Sequence, residues 1–173
     1  MTRRAAFIIN AQAGHGVDEA LLHEHRSALD AMANGGPIRF VSSGGDIVRA
    51  VGEALDAGCS TIVAGGGDGT LNAVASRLVG SDVRLGILPL GTLNHFAKDL
   101  GIPLELAQAL QTVATGVEMN VDVGEVNGHH FLNNSSIGLY PDIVHDRERQ
   151  QQRLGRGKWV AFAWAMWGVM RRF

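Results

Sequence analysis

Gly65-Gly66-Gly67-Asp68-Gly69-Thr70-Leu71-Asn72 is the stretch from which this 173-residue chain is best read. A short apolar run, Thr61-Ile62-Val63-Ala64, precedes it, and helically spaced Leu71, Val74, Ala75 and Leu78 follow. Strand, glycine turn and helix in that order form a cradle for phosphate. Glycine lets main-chain N–H groups approach a bulky anion, and the helix start adds unpaired donors and the positive end of its dipole. Asp68 alone would repel phosphate. It fits if Mg²⁺ lies between them, or if it takes a proton from an attacking hydroxyl. Packing alone also produces glycine-rich turns. Asp68, Thr70 and Asn72 within this one favour nucleotide phosphate. The turn has neither the Gly-Lys-Ser/Thr ending of a P-loop nor the Gly-x-Gly-x-x-Gly order of a dinucleotide site.

Working outward, strands and helices alternate through the first two-thirds. Strands are expected at Ala5–Asn10, Ile38–Ser42, Thr61–Ala64 and Leu85–Leu88. Helices are expected at Asp18–Met32, at a segment capped by Asp46 with Ile47, Val48, Val51 and Leu55 on one face, at Asn94–Leu100, and at Leu104–Thr115 opened by Pro103. This alternation predicts an α/β fold with a parallel sheet covered on both faces. Ligands of such sheets gather at the carboxyl ends of the strands, where the Asn10, Ser42, Gly66 and Gly91 segments all fall.

The pattern changes at Val121. Residues 121–126 alternate with period two, Asn127-Gly128 is a hairpin turn signal, and His130–Ser135 can return. We read 1–120 as a nucleotide-binding α/β domain and 121–173 as the incomplete start of an antiparallel, β-rich second domain. The latter ends in an amphipathic helix.

Net charge is −2. Seven Arg and Lys from Arg147 onward face Glu148 alone, so that end carries +6 and the remainder −8. A basic end on an acidic body points to an anionic surface, and its tryptophans fit no nucleic-acid module. The single cysteine, Cys59, excludes a disulfide framework and fits a reducing compartment. The apolar run after Arg3-Arg4 stops at Asn10, too short for a signal peptide. His23 and His25 diverge on a helix, and His129 and His130 point to opposite faces of a strand, against a zinc site. Trp159–Met170 is shorter than the roughly 20 residues that span a bilayer. It reads either as an interfacial helix or as a helix packed on a second domain.

Gly66–Asn72 followed by Leu88-Pro89-Leu90-Gly91-Thr92-Leu93-Asn94-His95-Phe96-Ala97 resembles the diacylglycerol kinase catalytic-domain family, which includes sphingosine kinases and bacterial lipid kinases. Ile9-Asn10-Ala11-Gln12-Ala13-Gly14 is similar to its N-terminal Asn-Pro-x-x-Gly signature. Val121-Asp122-Val123-Gly124 and Phe131-Leu132-Asn133 resemble the entry to its β-rich domain. The resemblance implies a two-domain kinase with a phosphofructokinase- or NAD kinase-like N-terminal domain and ATP between the domains. Carried over by position, Gly66, Gly67, Asp68, Gly69, Thr70, Leu71 and Asn72 form the phosphate loop. Thr92 supplies a second contact, Ser42 the hydroxyl after the second strand, and Asn10 holds the first loop near the nucleotide. This sequence departs from the family at Ala11 (usually Pro), His15 (often Lys), Ala73 (commonly Glu) and His95 (more usually Asp). In bacterial members the proposed catalytic carboxylate and a structural Mg²⁺ site lie in the second domain, beyond the position of Phe173.

The implied function is an ATP- and Mg²⁺-dependent lipid kinase of phospholipid metabolism. It would transfer the γ-phosphate to the hydroxyl of a diacylglycerol-like lipid, in the cytoplasm and peripherally at the inner membrane face. Asp68 is the candidate Mg²⁺ partner or base, with the main base outside this chain, and the 173 residues alone are expected to bind nucleotide without full catalysis. Thr92 and Asn94 are candidate ligand contacts or helix caps. Asp122 is an acid or an interdomain hydrogen-bonding residue. An exposed Trp-rich helix would allow a homo-oligomer. The rivals are an NAD kinase-type enzyme and a non-catalytic nucleotide-binding module. The former usually has Gly-x-Asn-x-Gly-x-Leu-Gly-Phe where this chain has Gly91–Phe96.

Overall fold

The computed structural model describes residues 4–14 and 24–133. Four strands form one parallel sheet: β1 (Ala5–Asn10), β2 (Ile38–Val41), β3 (Thr61–Gly66) and β4 (Arg84–Pro89), in the order β2-β1-β3-β4. The helices are α1 (Arg26–Ala33), α2 (Gly44–Asp56), α3 (Asp68–Leu78), α4 (His95–Asp99) and α5 (Leu106–Thr115).

Alternation along the central strands creates two apolar layers. Ala6 and Ile8 of β1, with Ile62 and Ala64 of β3, face a core that takes Ile47, Val51 and Ala54 from α2, Leu71, Val74 and Leu78 from α3, and Phe96 from α4. Phe7 and Ile9, with Val63, face the opposite core with Leu29 of α1 and Leu106, Ala109 and Leu110 of α5. Phe7, Ile8, Ile9, Ile62 and Val63 are fully buried, and each such side chain contributes about 2 kcal/mol through removal from water. This explains why β1 and β3 read as continuous apolar runs.

Several boundaries differ from expectation. Asp46 does not cap α2. Ser43 is the N-cap, its Oγ accepting from Asp46 N–H at 3.2 Å and donating to Asp46 Oδ2 at 2.7 Å, so the Asp46 side chain supports the cap through its hydroxyl. Pro103 does not open α5; that helix begins two residues later than expected because Glu105 caps it. The helix expected from Asn94 begins at His95, Asn94 itself being left-handed at φ 50°. The helix expected over Asp18–Met32 is described from Arg26, and its earlier part lies outside the described residues.

The antiparallel hairpin joins β5 (Gly124–Val126) to β6 (His129–Phe131). Asn127 and Gly128 both have positive φ, 50° and 77°, which matches the right-handed twist of the strands. Both strands are shorter than the sequence pattern suggested, and Val121 is exposed ahead of β5. The hairpin falls in the compact unit Met1–Asn133. His15, His23, the end of the expected return strand, the basic segment from Arg147 and the Trp159–Met170 stretch lie outside the described residues. No helix among the described residues is long and apolar enough to cross a membrane.

Candidate functional site

The chain leaves β1 for β2 in one direction and β2 for β3 in the other, so the crevice of the sheet opens at the carboxyl ends of β1 and β3. Asn10 closes β1 there, and Gly66 closes β3. Asn10 ties the two ends together. Its Nδ2 donates to Thr70 Oγ1 at 3.0 Å, while its Oδ1 accepts from Gln12 N–H at 3.0 Å and bends the chain away from the strand. The third loop closes on the same place. A Cβ on Gly91 would lie 2.3 Å from the Cα of Gly67, so the loops after β3 and β4 touch only because both are glycine there. A Cβ on Gly14 would lie 2.9 Å from the Leu90 carbonyl oxygen, which brings the first loop against the last.

The start of α3 differs from those of α2, α4 and α5. A hydroxyl or carboxylate holds the first turn of α2 through Ser43 and that of α5 through Glu105, whose carboxylate accepts from the N–H groups of Ala107 and Gln108 at 2.9 Å. The first N–H groups of α4 donate to Asp68, His95 at 3.1 Å and Phe96 at 3.0 Å. The N-cap of α3 is Gly67, with no side chain to offer. The N–H groups of Thr70 and Leu71 turn back to the Gly67 carbonyl. Those of Asp68 and Gly69 have no acceptor among the described residues. Gly69 is exposed, and a Cβ there would meet nothing within 4 Å. A helix start with free donors, no cap and open space in front has the chemistry to accept an anion.

Asp68 itself spans two helices. Its position is the first residue of α3, and its two oxygens hold the start of α4. Each oxygen keeps a further lone pair, and the residue is half-buried rather than sealed. No cluster of three or more His, Cys, Asp or Glu side chains able to hold a metal occurs among the described residues. One partly exposed carboxylate beside an anion site fits Mg²⁺, which binds through one or two carboxylates plus the oxygens of a bound phosphate.

The other expected site residues divide sharply. Thr92 is exposed on the loop after β4, and Ser42 is exposed at the end of β2, its Oγ 3.4 Å from Asp46 Oδ2. Ala11 N–H donates to the Val41 carbonyl at 2.9 Å, which brings the Asn10 loop beside Ser42. Leu71, by contrast, is wholly buried in the core, so only its main chain belongs to the turn. Thr70 is 5% exposed, and its oxygen receives Asn10. Asn72 faces the β-hairpin through both ends of its amide, with Nδ2 donating to the His130 carbonyl at 3.2 Å and Oδ1 accepting from Leu132 N–H at 3.1 Å.

Asn94, expected as a ligand contact or a helix cap, serves as neither among the described residues and holds its own loop instead. It is 5% exposed. Its Oδ1 accepts from Gly91 N–H at 2.9 Å, and its Nδ2 donates to the carbonyls of Pro89 and Gly91 at 3.2 and 2.8 Å. The side chain braces its own loop and makes no cap bond, since Asp68 does that work for α4. Asparagine suits this place because it tolerates the left-handed backbone and carries both donor and acceptor. Gly91 three residues before it was the available signal.

The electrostatics around the sheet edge follow the caps. Hydrogen bonding from Ser43 holds the Asp46 carboxyl below the usual range, with Arg49 helping. The Ala107 and Gln108 N–H groups do the same for Glu105. Burial pushes the Cys59 thiol up, away from reactivity.

Comparison with known proteins places this geometry. The family described as the diacylglycerol kinase catalytic domain matches residues 4–126. A "Probable lipid kinase YegS-like" protein of Klebsiella pneumoniae (strain 342) is 42% identical over 146 residues, covering 82% of this chain and 49% of that protein. One of the same name from Pseudomonas savastanoi pv. phaseolicola is 43% identical over 149 residues, covering 83% and 47%. A diacylglycerol kinase from Bacillus anthracis str. Sterne superposes with a TM-score of 0.66 at 31% identity, over 76% of this chain and 46% of that one. The chain therefore spans about half the length of the curated relatives it matches.

Proposed function

Because this chain belongs to the diacylglycerol kinase catalytic-domain family, we propose that it is the nucleotide-binding half of an ATP-dependent lipid kinase acting on a diacylglycerol-like alcohol. One observation carries the reading: the uncapped start of α3, where the N–H groups of Asp68 and Gly69 have no acceptor among the described residues and open space lies beyond Gly69. Those donors hold the nucleotide phosphates, and Thr92 and Ser42 line the approach from the neighbouring loops. Asp68 would hold Mg²⁺ beside the bound phosphates, and the ion would supply neutralisation of the charge that develops during phosphoryl transfer. The chain's own contribution is positioning. Asn10 holds the Thr70 hydroxyl, Asn94 keeps the Pro89–Asn94 loop folded, and Asp68 aligns α4 with α3. Both oxygens of Asp68 accept main-chain N–H groups, which favours metal positioning over proton abstraction as its task.

Residues from 121 onward are the beginning of the β-rich second domain, which supplies the general base. The 173-residue chain alone binds Mg-ATP without completing transfer. The full protein works peripherally at an anionic membrane face, in the cytoplasm, with self-association through the Trp-rich segment.

The test is a radiolabelled-ATP assay on the full-length protein against a lipid panel and NAD, with Asp68→Asn alongside. Phosphorylated diacylglycerol-like lipid and a strongly reduced Asp68→Asn rate are expected. Phosphorylation of NAD in place of every lipid overturns the assignment, and full activity in Asp68→Asn removes that residue from the reaction.

A further inference from the structure

Asp68 and Asn72 lie one turn apart on α3, so their side chains share a face. The neighbouring face, through Leu71, Val74 and Leu78, is in the core. Side chains on the shared face reach main-chain atoms of other elements. Asp68 holds the start of α4, and Asn72 holds the segment around β6. The Asn72 amide meets the C=O of His130 and the N–H of Leu132, the groups flanking Phe131. Phe131 pairs with Gly124 of β5. In an antiparallel ladder, successive peptide groups point to alternate sides. The amide therefore occupies the edge of β6 where a third strand would hydrogen-bond, and it offers the same donor and acceptor that a strand would. A two-stranded hairpin is marginal on its own. This one gains the Asn72 bonds, and Leu132 packs half-buried against the α2/α3 core layer.

We propose that Asn72 is a positioning residue and not a nucleotide ligand: its amide stands in for a missing strand at the β6 edge, so that filling the anion site at the start of α3 tightens the hairpin. The claim rests on the nucleotide-kinase reading above. A ligand on the Asp68 and Gly69 N–H groups stabilises the first turn of α3, and Asn72 projects from the turn that follows. Local opening of residues 130–132 requires release of that amide. Occupancy and hairpin order are therefore linked, and the linkage is reciprocal.

The experiment is residue-resolved amide hydrogen exchange on the 173-residue chain, with and without Mg-AMP-PNP, for wild type and Asn72→Leu. Leucine keeps the branching and heavy-atom count at somewhat larger volume, and removes both bonds. Without nucleotide, the Leu132 amide is expected to exchange roughly tenfold faster in the variant, while Val74 and Ala75 are unchanged. With nucleotide, Leu132 slows in wild type and not in the variant, and the dissociation constant for Mg-AMP-PNP stays within about threefold. A purely packing role would not remove the nucleotide-induced slowing. Equal Leu132 rates in both proteins overturn the proposal, as does a more than tenfold loss of nucleotide affinity with Leu132 exchange unaltered. If Asn72→Leu does not fold, Asn72→Asp takes its place. It keeps the acceptor for Leu132 N–H and sets an oxygen against the His130 carbonyl. Faster Leu132 exchange and weaker nucleotide-induced slowing are again expected, and no change in either overturns the claim. A wild-type chain that binds no Mg-AMP-PNP overturns the function proposed above instead. The grip of Asn72 is then judged by the nucleotide-free exchange rates.

Discussion

The starts of α3 and α4 lie side by side and are treated in opposite ways. At α4, His95 and Phe96 give their N–H groups to the Asp68 carboxylate. At α3, the N–H groups of Asp68 and Gly69 have no acceptor among the described residues, and the cap position is glycine. The aspartate that would ordinarily neutralise its own helix start is turned across the gap to serve the next one. A helix start completed by the protein gains local stability, whereas one left incomplete keeps its donors for a ligand. The difference between a completed helix start and an open one therefore lies in where one carboxylate points, more than in glycine content.

The comparison can be broken most severely at the contact between the two loops. Gly91→Ala sets a Cβ 2.3 Å from Gly67 Cα and 2.7 Å from Asn94 Oδ1. It should cost about 3 kcal/mol, since main chain would have to move, and urea denaturation will show it. Asn94→Ala removes a buried side chain with three main-chain bonds and leaves alanine in a left-handed conformation. A loss of about 2 kcal/mol is expected, with Asn94→Gly milder because it relieves the backbone term. Asp68→Ala deprives α4 of both caps and should lower stability by roughly 1 kcal/mol. If thermal melting shows no change, Asp68 is not the cap of α4 and the contrast collapses.

Gly69→Ala sharpens the same comparison from the ligand side. A methyl group there has free space, and φ is not positive, so stability should hold or rise by about 0.5 kcal/mol. Mg-ATP affinity, by calorimetry, should nevertheless fall about tenfold, because the methyl fills the space in front of the donors. The smallest effect belongs to α5. The Glu105 carboxyl is held below its usual range in the folded state by Ala107 and Gln108 N–H groups. Its contribution is present above the ordinary glutamate range and is lost as pH falls through the lowered value. Denaturation at pH 3 against pH 7 should therefore show a slightly shallower acid loss for Glu105→Gln than for wild type.

How much could be read beforehand varied with the range of the interaction. The strand–glycine–helix order at Thr61–Leu78 was legible because apolar periodicity and glycine are local signals. So was the Asn127-Gly128 turn, whose residues set their own backbone. Helix starts were less legible. Asp46 and Ser43 are three residues apart, and composition alone does not say which is the cap. Pro103 was a plausible first residue for α5, but Glu105 could reach two N–H groups and moved the start. Asn10, Asn72 and Asn94 looked alike as polar residues near a phosphate loop. Their separate tasks depend on which backbone each amide faces, and that is set by packing.

From the chain of residues alone came the parallel α/β layering, the glycine turn after β3, its gathering with three other strand ends, and the resemblance that the family match bears out. Each follows from short-range periodicity or from motif spacing. Only the tertiary structure decided that Asp68 serves a helix 27 and 28 residues away, and that Asn72 grips a hairpin 58 and 60 residues away. A hydrogen bond needs its partners within about 3 Å and well aligned. Across such separations, it is the burial of the apolar layers beneath that brings the partners together.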